Sequence, residues 1–221
     1  MKPRVGILIS GRGSNMAALI AAAAQGDYPA EIALVLSNDP DAAGLALAEQ
    51  AGVATASIDH RPYGRDRAAH EMALAHRLEA AGVEIVCLAG YMRLLTPLLV
   101  GRYAGRMLNV HPSLLPAFPG LDTHARAIAG GVKLHGCTVH LVTEAMDAGP
   151  ILAQCAVPVL TEDDEASLAA RVLAREHRLY AEALRAFAAG RMGRDADAGM
   201  WLSNPRAESA DGDDAGRGFV L

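Results

Sequence analysis

The sequence predicts an α/β protein: a mostly parallel open sheet with helices on both faces and an antiparallel addition toward its C-terminal end. Three observations carry this prediction. Short β-type runs alternate with longer helix-type runs through most of the chain, the pattern that a parallel sheet with crossover helices imposes. At about 150 residues per domain, 221 residues fit one large domain with a tail. Apolar residues make up 52% of the chain and aromatic ones only 4%, so burial comes from Ala, Val, Leu and Ile packed in regular layers.

Val5 to Ser10 is the first strand; Gly11-Arg12-Gly13-Ser14 breaks it, and Asn15 to Gln25 follows with Ala, Leu and Ile at helical spacing. Glu31 to Ser37 reads as a strand, Ala43 to Ala51 as a helix ending at Gly52, and Ala54 to Ile58 as a third strand. Pro62 to Ala81 reads as one long helix stopped by Gly82. Glu84 to Ala89 is nearly all apolar, as a strand buried on both faces requires. Met107 to His111 is also strand-like, yet Asn109 and His111 are polar, two residues apart and therefore on one face. A Pro-rich loop from Pro112 to Gly120 precedes a helix from Asp122 to Ala129. Gly136 to Val142 and Ile151 to Val157 flank the Asp147-Ala148-Gly149-Pro150 turn as an antiparallel pair. Glu165 to Ala189 closes the domain as an amphipathic helix. The order is Rossmann-like, with a domain over 1–190 and a tail over 191–221 in which Ser203 to Gly218 lacks an apolar period.

Composition excludes several classes. The net charge of −5 leaves little attraction for a polyanion, so no nucleic-acid partner is expected. Cys87, Cys137 and Cys155 are far apart without a CxxC pair, which points to a reducing compartment and no structural zinc. The N-terminal apolar run is too short for a signal-peptide core and no later run holds about 18 apolar residues, so the expectation is a cytoplasmic protein with no membrane partner.

Gly11-Arg12-Gly13-Ser14-Asn15 lies between a strand's carboxyl end and a helix N-terminus, whose free N–H groups and dipole favour an anion. A small phosphate monoester fits, because the third glycine of a dinucleotide fingerprint is replaced by Met16 and no GxxxxGK is present. The plainer alternative is a glycine turn capped by Ser14 or Asn15. Asn109 and His111 sit at a strand's carboxyl end, where an amide can donate to an oxyanion and an imidazole can move a proton; a satisfied core histidine fits equally. Asp147, between apolar strands, is placed for partial desolvation, although Asp is also a common turn residue. Glu176-His177 on the last helix could reach the same cleft, with a solvated helix face as the default. His70-Glu71 and His76 do not make a zinc site, since six helical residues turn roughly 600°. Arg61, Arg65 and Arg67 form a small basic cluster, one member of which could meet an acidic ligand tail.

Five motifs occur in register over roughly residues 1 to 190: Ser10-Gly-Arg-Gly-Ser-Asn15, Leu88-Ala-Gly-Tyr-Met-Arg-Leu-Leu95, Leu108-Asn-Val-His-Pro-Ser-Leu-Leu-Pro116 with Phe118-Pro-Gly120, His135-Gly-Cys-Thr-Val-His140, and Met146-Asp-Ala-Gly-Pro150. Together they resemble the phosphoribosylglycinamide formyltransferases of purine biosynthesis. The resemblance implies an enzyme that moves a formyl group from 10-formyltetrahydrofolate, a co-substrate, to the amine of glycinamide ribonucleotide (GAR), without a metal. It implies catalytic roles for Asn109, His111 and Asp147. Gly13, Ser14 and Asn15 would hold the nucleotide phosphate, and Glu176 would lie near its ribose or glycinamide end. Met92, Arg93, Leu94 and Leu95 would line the pterin pocket with Thr143 to Asp147 and Asn109, and Arg67 would lie toward the benzoyl-glutamate end. A monomer or homodimer is expected. Methionyl-tRNA formyltransferase resembles the chain less, since that enzyme adds a nucleic-acid-binding domain. The alternatives are a formyltetrahydrofolate hydrolase and a non-catalytic folate or nucleotide-binding protein.

Overall fold

The computed structural model describes residues 1–190; the expected tail over 191–221 lies outside the described residues. Among the described residues, seven strands form one sheet: β1 (Arg4–Ile9), β2 (Glu31–Ser37), β3 (Thr55–Ser57), β4 (Ile85–Leu88), β5 (Met107–His111), β6 (Leu134–Leu141) and β7 (Ile151–Pro158). Their order is β3-β2-β1-β4-β5-β6-β7. The first five are parallel, and β6 and β7 add on antiparallel, as the sequence predicts. The order reverses between β1 and β4, which opens a crevice at their carboxyl ends.

Six α-helices of the described residues cover the sheet: α1 (Ser14–Ala23), α2 (Ala43–Gln50), α3 (Arg67–Ala80), α4 (Pro97–Arg102), α5 (Thr123–Ala129) and α6 (Glu165–Ala188). Alternation along each strand splits the core into two layers. Val5, Ile7, Ile9, Ile85, Cys87, Leu108, Val110, Cys137 and Val139 pack with α1 and α6 on one face. Leu8, Val86, Leu88 and Met107 pack with Leu74, Leu78 and Leu99 of α3 and α4 on the other. Each fully buried Leu or Ile contributes about 1.5–3 kcal/mol. Asn109, His111 and His140 continue the second face beyond those two helices, so their polar side chains sit where the helical cover has ended.

Two expectations need correction. The predicted helix from Pro62 to Ala81 is broken into a 3-10 turn, Arg61–Tyr63, and α3. Gly64, at φ 54°, turns the chain, and the Asp66 carboxylate accepts the Ala69 N–H to start α3 afresh. Helix α4 was not anticipated, because six residues carry too little periodicity; Pro97 at its first turn and the Thr96 cap are its only local marks.

Helix α6 is fixed from inside. The fully buried Tyr180 hydroxyl lies 3.1 Å from Leu88 O and 3.0 Å from Leu108 O, pinning the helix across β4 and β5. One turn earlier on the same face this places Glu176 beneath the crevice.

Candidate functional site

At the crevice, Gly13 caps α1 with φ 72° and no side chain bonds the helix N-terminus, so neither Ser14 nor Asn15 acts as its cap. The loop is held close instead. Gly44 N–H donates to Gly11 O at 3.0 Å, and a Cβ on Gly44 would fall 2.9 Å from that oxygen and 3.2 Å from Gly13 Cα. Ser14 is exposed at the first helical position, while Asn15 turns inward and its Nδ2 donates to Glu176 Oε2 at 2.7 Å. Glu176 is only 6% exposed, which corrects the expectation of a solvated helix face: Tyr180 orients this face toward the sheet. Burial raises the Glu176 carboxyl above its usual range, opposed in part by the Asn15 bond. Asn15 Oδ1 is buried with no hydrogen-bond partner among the described residues.

Across the sheet, the β6–β7 loop folds back over the uncovered face of β5. It can do so because Gly149 lies against β6: a Cβ there would sit 1.8 Å from Leu141 O. Asp147, at φ 52° and with its side chain 11% exposed, is thereby aimed at His111. Asp147 Oδ2 lies 3.5 Å from His111 Nδ1 and accepts Gly120 N–H at 2.9 Å, while Oδ1 lies 3.8 Å from His140 Nε2. His111 Nε2 is 3.1 Å from Phe118 O, and a carbonyl only accepts, so Nε2 carries a proton. Both ring nitrogens of His111 thus face acceptors, which fix the orientation of the ring.

His140 was not singled out from the sequence as a candidate, yet it joins the group. Its Nδ1 donates to Leu141 O at 3.0 Å, leaving Nε2 to accept from Asn109 Nδ2 at 3.1 Å. Burial lowers the His140 pKa, consistent with a neutral ring that acts as acceptor and orients the Asn109 amide. The sequence does contain a clue: His140 and Asn109 are cross-strand partners in the β5–β6 register.

The remaining predicted residues lie in loops around this centre. Met92 and Leu94 are 70% and 58% exposed in the loop after β4, with Arg93 and Leu95 half-buried beside them. Thr143 is exposed and donates from Oγ1 to Ala145 O at 3.1 Å. Arg67 is the exposed first residue of α3, and among the described residues no side-chain hydrogen bond or ion pair joins it to the others. All three cysteines are free and buried, and burial pushes the Cys87 thiol up to about 12. Among the described residues, no group of three or more His, Cys, Asp or Glu side chains could hold a metal ion.

An amide, an imidazole and a shielded carboxylate gathered in one cluster are suited to stabilising an oxyanion and relaying a proton. Comparison with known proteins gives this chemistry a context. Residues 3–184 match the formyl transferase family. The chain is 42% identical over 200 residues to phosphoribosylglycinamide formyltransferase of Escherichia coli (strain K12), covering 90% of this chain and 93% of that protein. It is 46% identical over 189 residues to the human trifunctional purine biosynthetic protein adenosine-3, of which it spans 19%. Among solved structures, phosphoribosylglycinamide formyltransferase from Brucella melitensis is 56% identical with a TM-score of 0.82, covering 86% of this chain and 97% of that one. Glycinamide ribonucleotide transformylase 1 from Symbiobacterium toebii is 49% identical with a TM-score of 0.83, covering 87% and 92%. By sequence over most of its length and by fold, this chain belongs to the formyl transferase family.

Proposed function

We propose that the protein transfers the formyl group of 10-formyltetrahydrofolate to the amine of GAR, in the cytoplasm, as a step of purine biosynthesis. The observation that carries this reading is the meeting of Asn109, His111 and Asp147, drawn from two distant stretches of chain, in a chain whose relatives are named as GAR formyltransferases.

In the proposed reaction the GAR amine attacks the formyl carbon. A C–N bond forms, and the carbonyl electron pair moves to oxygen. The Asn109 amide donates to that oxyanion through the N–H not given to His140, and His111 donates its Nε2–H to it in exchange for Phe118 O. Asp147, held by Gly120 N–H and shielded from bulk water, takes the proton from the attacking nitrogen and returns one to the departing folate nitrogen. The carbonyl re-forms as the bond to folate breaks, giving formyl-GAR and tetrahydrofolate. Alignment of the two substrates supplies much of the remaining acceleration.

The binding roles follow the same reading. The open N-terminus of α1, with Gly13, Ser14 and Asn15, suits the GAR phosphate. The buried Asn15 Oδ1 and the Glu176 carboxyl suit donors at the ribose and glycinamide end. Met92, Leu94 and Leu95 offer apolar surface to a pterin, with Arg93 and Thr143 at its polar edge. Arg67 suits the glutamate end, because a cation at a helix N-terminus gains nothing from the helix dipole and is free to meet an anion.

Mixing the protein with GAR and 10-formyltetrahydrofolate and following tetrahydrofolate release tests the proposal. Strict dependence on GAR is expected. Formate release without GAR would instead support the hydrolase reading, which the named relatives do not favour.

A further inference from the structure

The crevice between β1 and β4 is bordered by two loops, Gly11 to Asn15 after β1 and Gly90 to Thr96 after β4, and Ser10 touches both sides of it. Its N–H donates to Gly90 O at 3.2 Å. Its hydroxyl accepts Met92 N–H at 2.8 Å and donates to Asn38 Oδ1 at 2.5 Å. Asn38, 4% exposed at the end of β2, is itself held: His60 N–H donates to Asn38 O at 3.1 Å, and His60 Nδ1 lies 3.1 Å from Asn38 Nδ2. The donor and acceptor capacity that the Ser10 hydroxyl uses is therefore committed within the protein. The next residue, Gly11, is locked to Gly44 through its carbonyl.

The far end of the β4 loop has a separate anchor. Glu71 of α3, 2% exposed, accepts Thr96 N–H at 2.7 Å, Thr96 Oγ1–H at 2.6 Å and Leu99 N–H at 3.3 Å. Between these two anchors the loop projects Met92 and Leu94 into solvent. Among the described residues, the Ser10 anchor ties the loop to the glycine-loop side of the crevice, and Glu71 ties it to the body of the second helical layer.

We propose that Ser10 is a positioning residue that sets the Tyr91 to Leu95 segment in register with the glycine loop, so that the folate and the nucleotide are held in line across the crevice. The proposal deepens the functional reading above and rests on it. Without the hydroxyl, Met92 N–H rehydrates, the buried Asn38 Oδ1 loses its donor, and the loop loses its tether at Met92 while Gly90 and Thr96 stay pinned. The nucleotide side keeps its contacts, since the Gly11–Gly44 and Asn15–Glu176 bonds do not involve the Ser10 side chain.

The test compares Ser10→Ala and Ser10→Thr with the wild-type chain by amide hydrogen exchange at Met92, GAR affinity, and kcat and KM for 10-formyltetrahydrofolate. In Ser10→Ala, Met92 exchange accelerates and the folate KM rises roughly five- to tenfold, the loss of one hydrogen bond to a partly buried partner. The kcat falls and GAR affinity stays within about twofold of wild type. Ser10→Thr, which keeps the hydroxyl, restores the folate KM and Met92 protection. Unchanged Met92 exchange in Ser10→Ala overturns the proposal, as does a parallel loss of GAR and folate affinity, which marks a merely structural residue. Failure of the functional reading shows separately, as a wild-type chain that transfers no formyl group to GAR; that result takes both proposals down.

Discussion

Replacing Asp147 by Asn removes one negative charge while keeping the side chain's shape. The amide oxygen still accepts Gly120 N–H, so the β6–β7 loop keeps its anchor and the comparison isolates the charge. What is lost is the partner of His111. At 3.5 Å, with both side chains about nine-tenths buried, the Asp147 carboxylate is the acceptor that orients the His111 ring. A proton relay contributes a further rate factor of about 10² to 10⁴. These two effects overlap, since the charge that orients His111 also moves the proton, so the expected loss is roughly a thousandfold in kcat, or about 4 kcal/mol in the barrier. GAR-dependent tetrahydrofolate release, followed under saturating substrates, reads kcat; calorimetric titration with GAR alone reads binding, expected to hold within about twofold. A variant whose kcat stays within about tenfold of wild type would refute the reasoning and remove Asp147 from the proton path.

Other perturbations probe the scaffold and its pH response. Burial raises the Glu176 carboxyl, so the folded state binds this proton more tightly than the unfolded chain; the stability gained is complete below the ordinary carboxyl range and is lost as pH rises through the folded value. Glu176→Gln is therefore more stable relative to wild type at pH 8 than at pH 4 in paired thermal melts, and a pH-independent offset would contradict this. Gly149→Ala puts a Cβ 1.8 Å from Leu141 O, so the loop that carries Asp147 must move; both melting temperature and turnover fall, and a wild-type melt would show that the close approach does not matter. Asp164 and Ser167 form a reciprocal cap at the start of α6, and Asp164→Ala costs about 1 kcal/mol, a drop of about 2–4 °C in melting temperature, with GAR affinity unchanged.

Much of the architecture was legible because it is written in local pattern. Met107–His111 matches its predicted span, and Glu31–Ser37 does too, since a central strand's apolar run is bounded by polar or turn residues. The antiparallel pair could be read from the short Asp147–Pro150 turn between alternating segments. What the sequence concealed depends on three-dimensional context. The split near Gly64 follows from a positive φ that a helical propensity count does not see, and α4 is too short to display a period. Within the site, Asn109 and His111 are legible as a same-face pair on one strand. His140 becomes visible only once the β5–β6 register is known, and the burial of Glu176 only once Tyr180 has fixed the rotation of α6. Ser10 is legible only as the first residue of a motif and Glu71 only within a rejected zinc pattern; their importance emerges from the loops they join.

The most direct test of the central claim follows the one-carbon unit itself. Supplying 10-formyltetrahydrofolate labelled with ¹³C at the formyl carbon, together with GAR, should place the label in the formamide of the product in equal amount to the tetrahydrofolate released. The same label should remain on folate when Asn109, His111 and Asp147 are replaced together. Label recovered as free formate at the same rate with or without GAR, or undiminished transfer by the triple variant, would contradict the account.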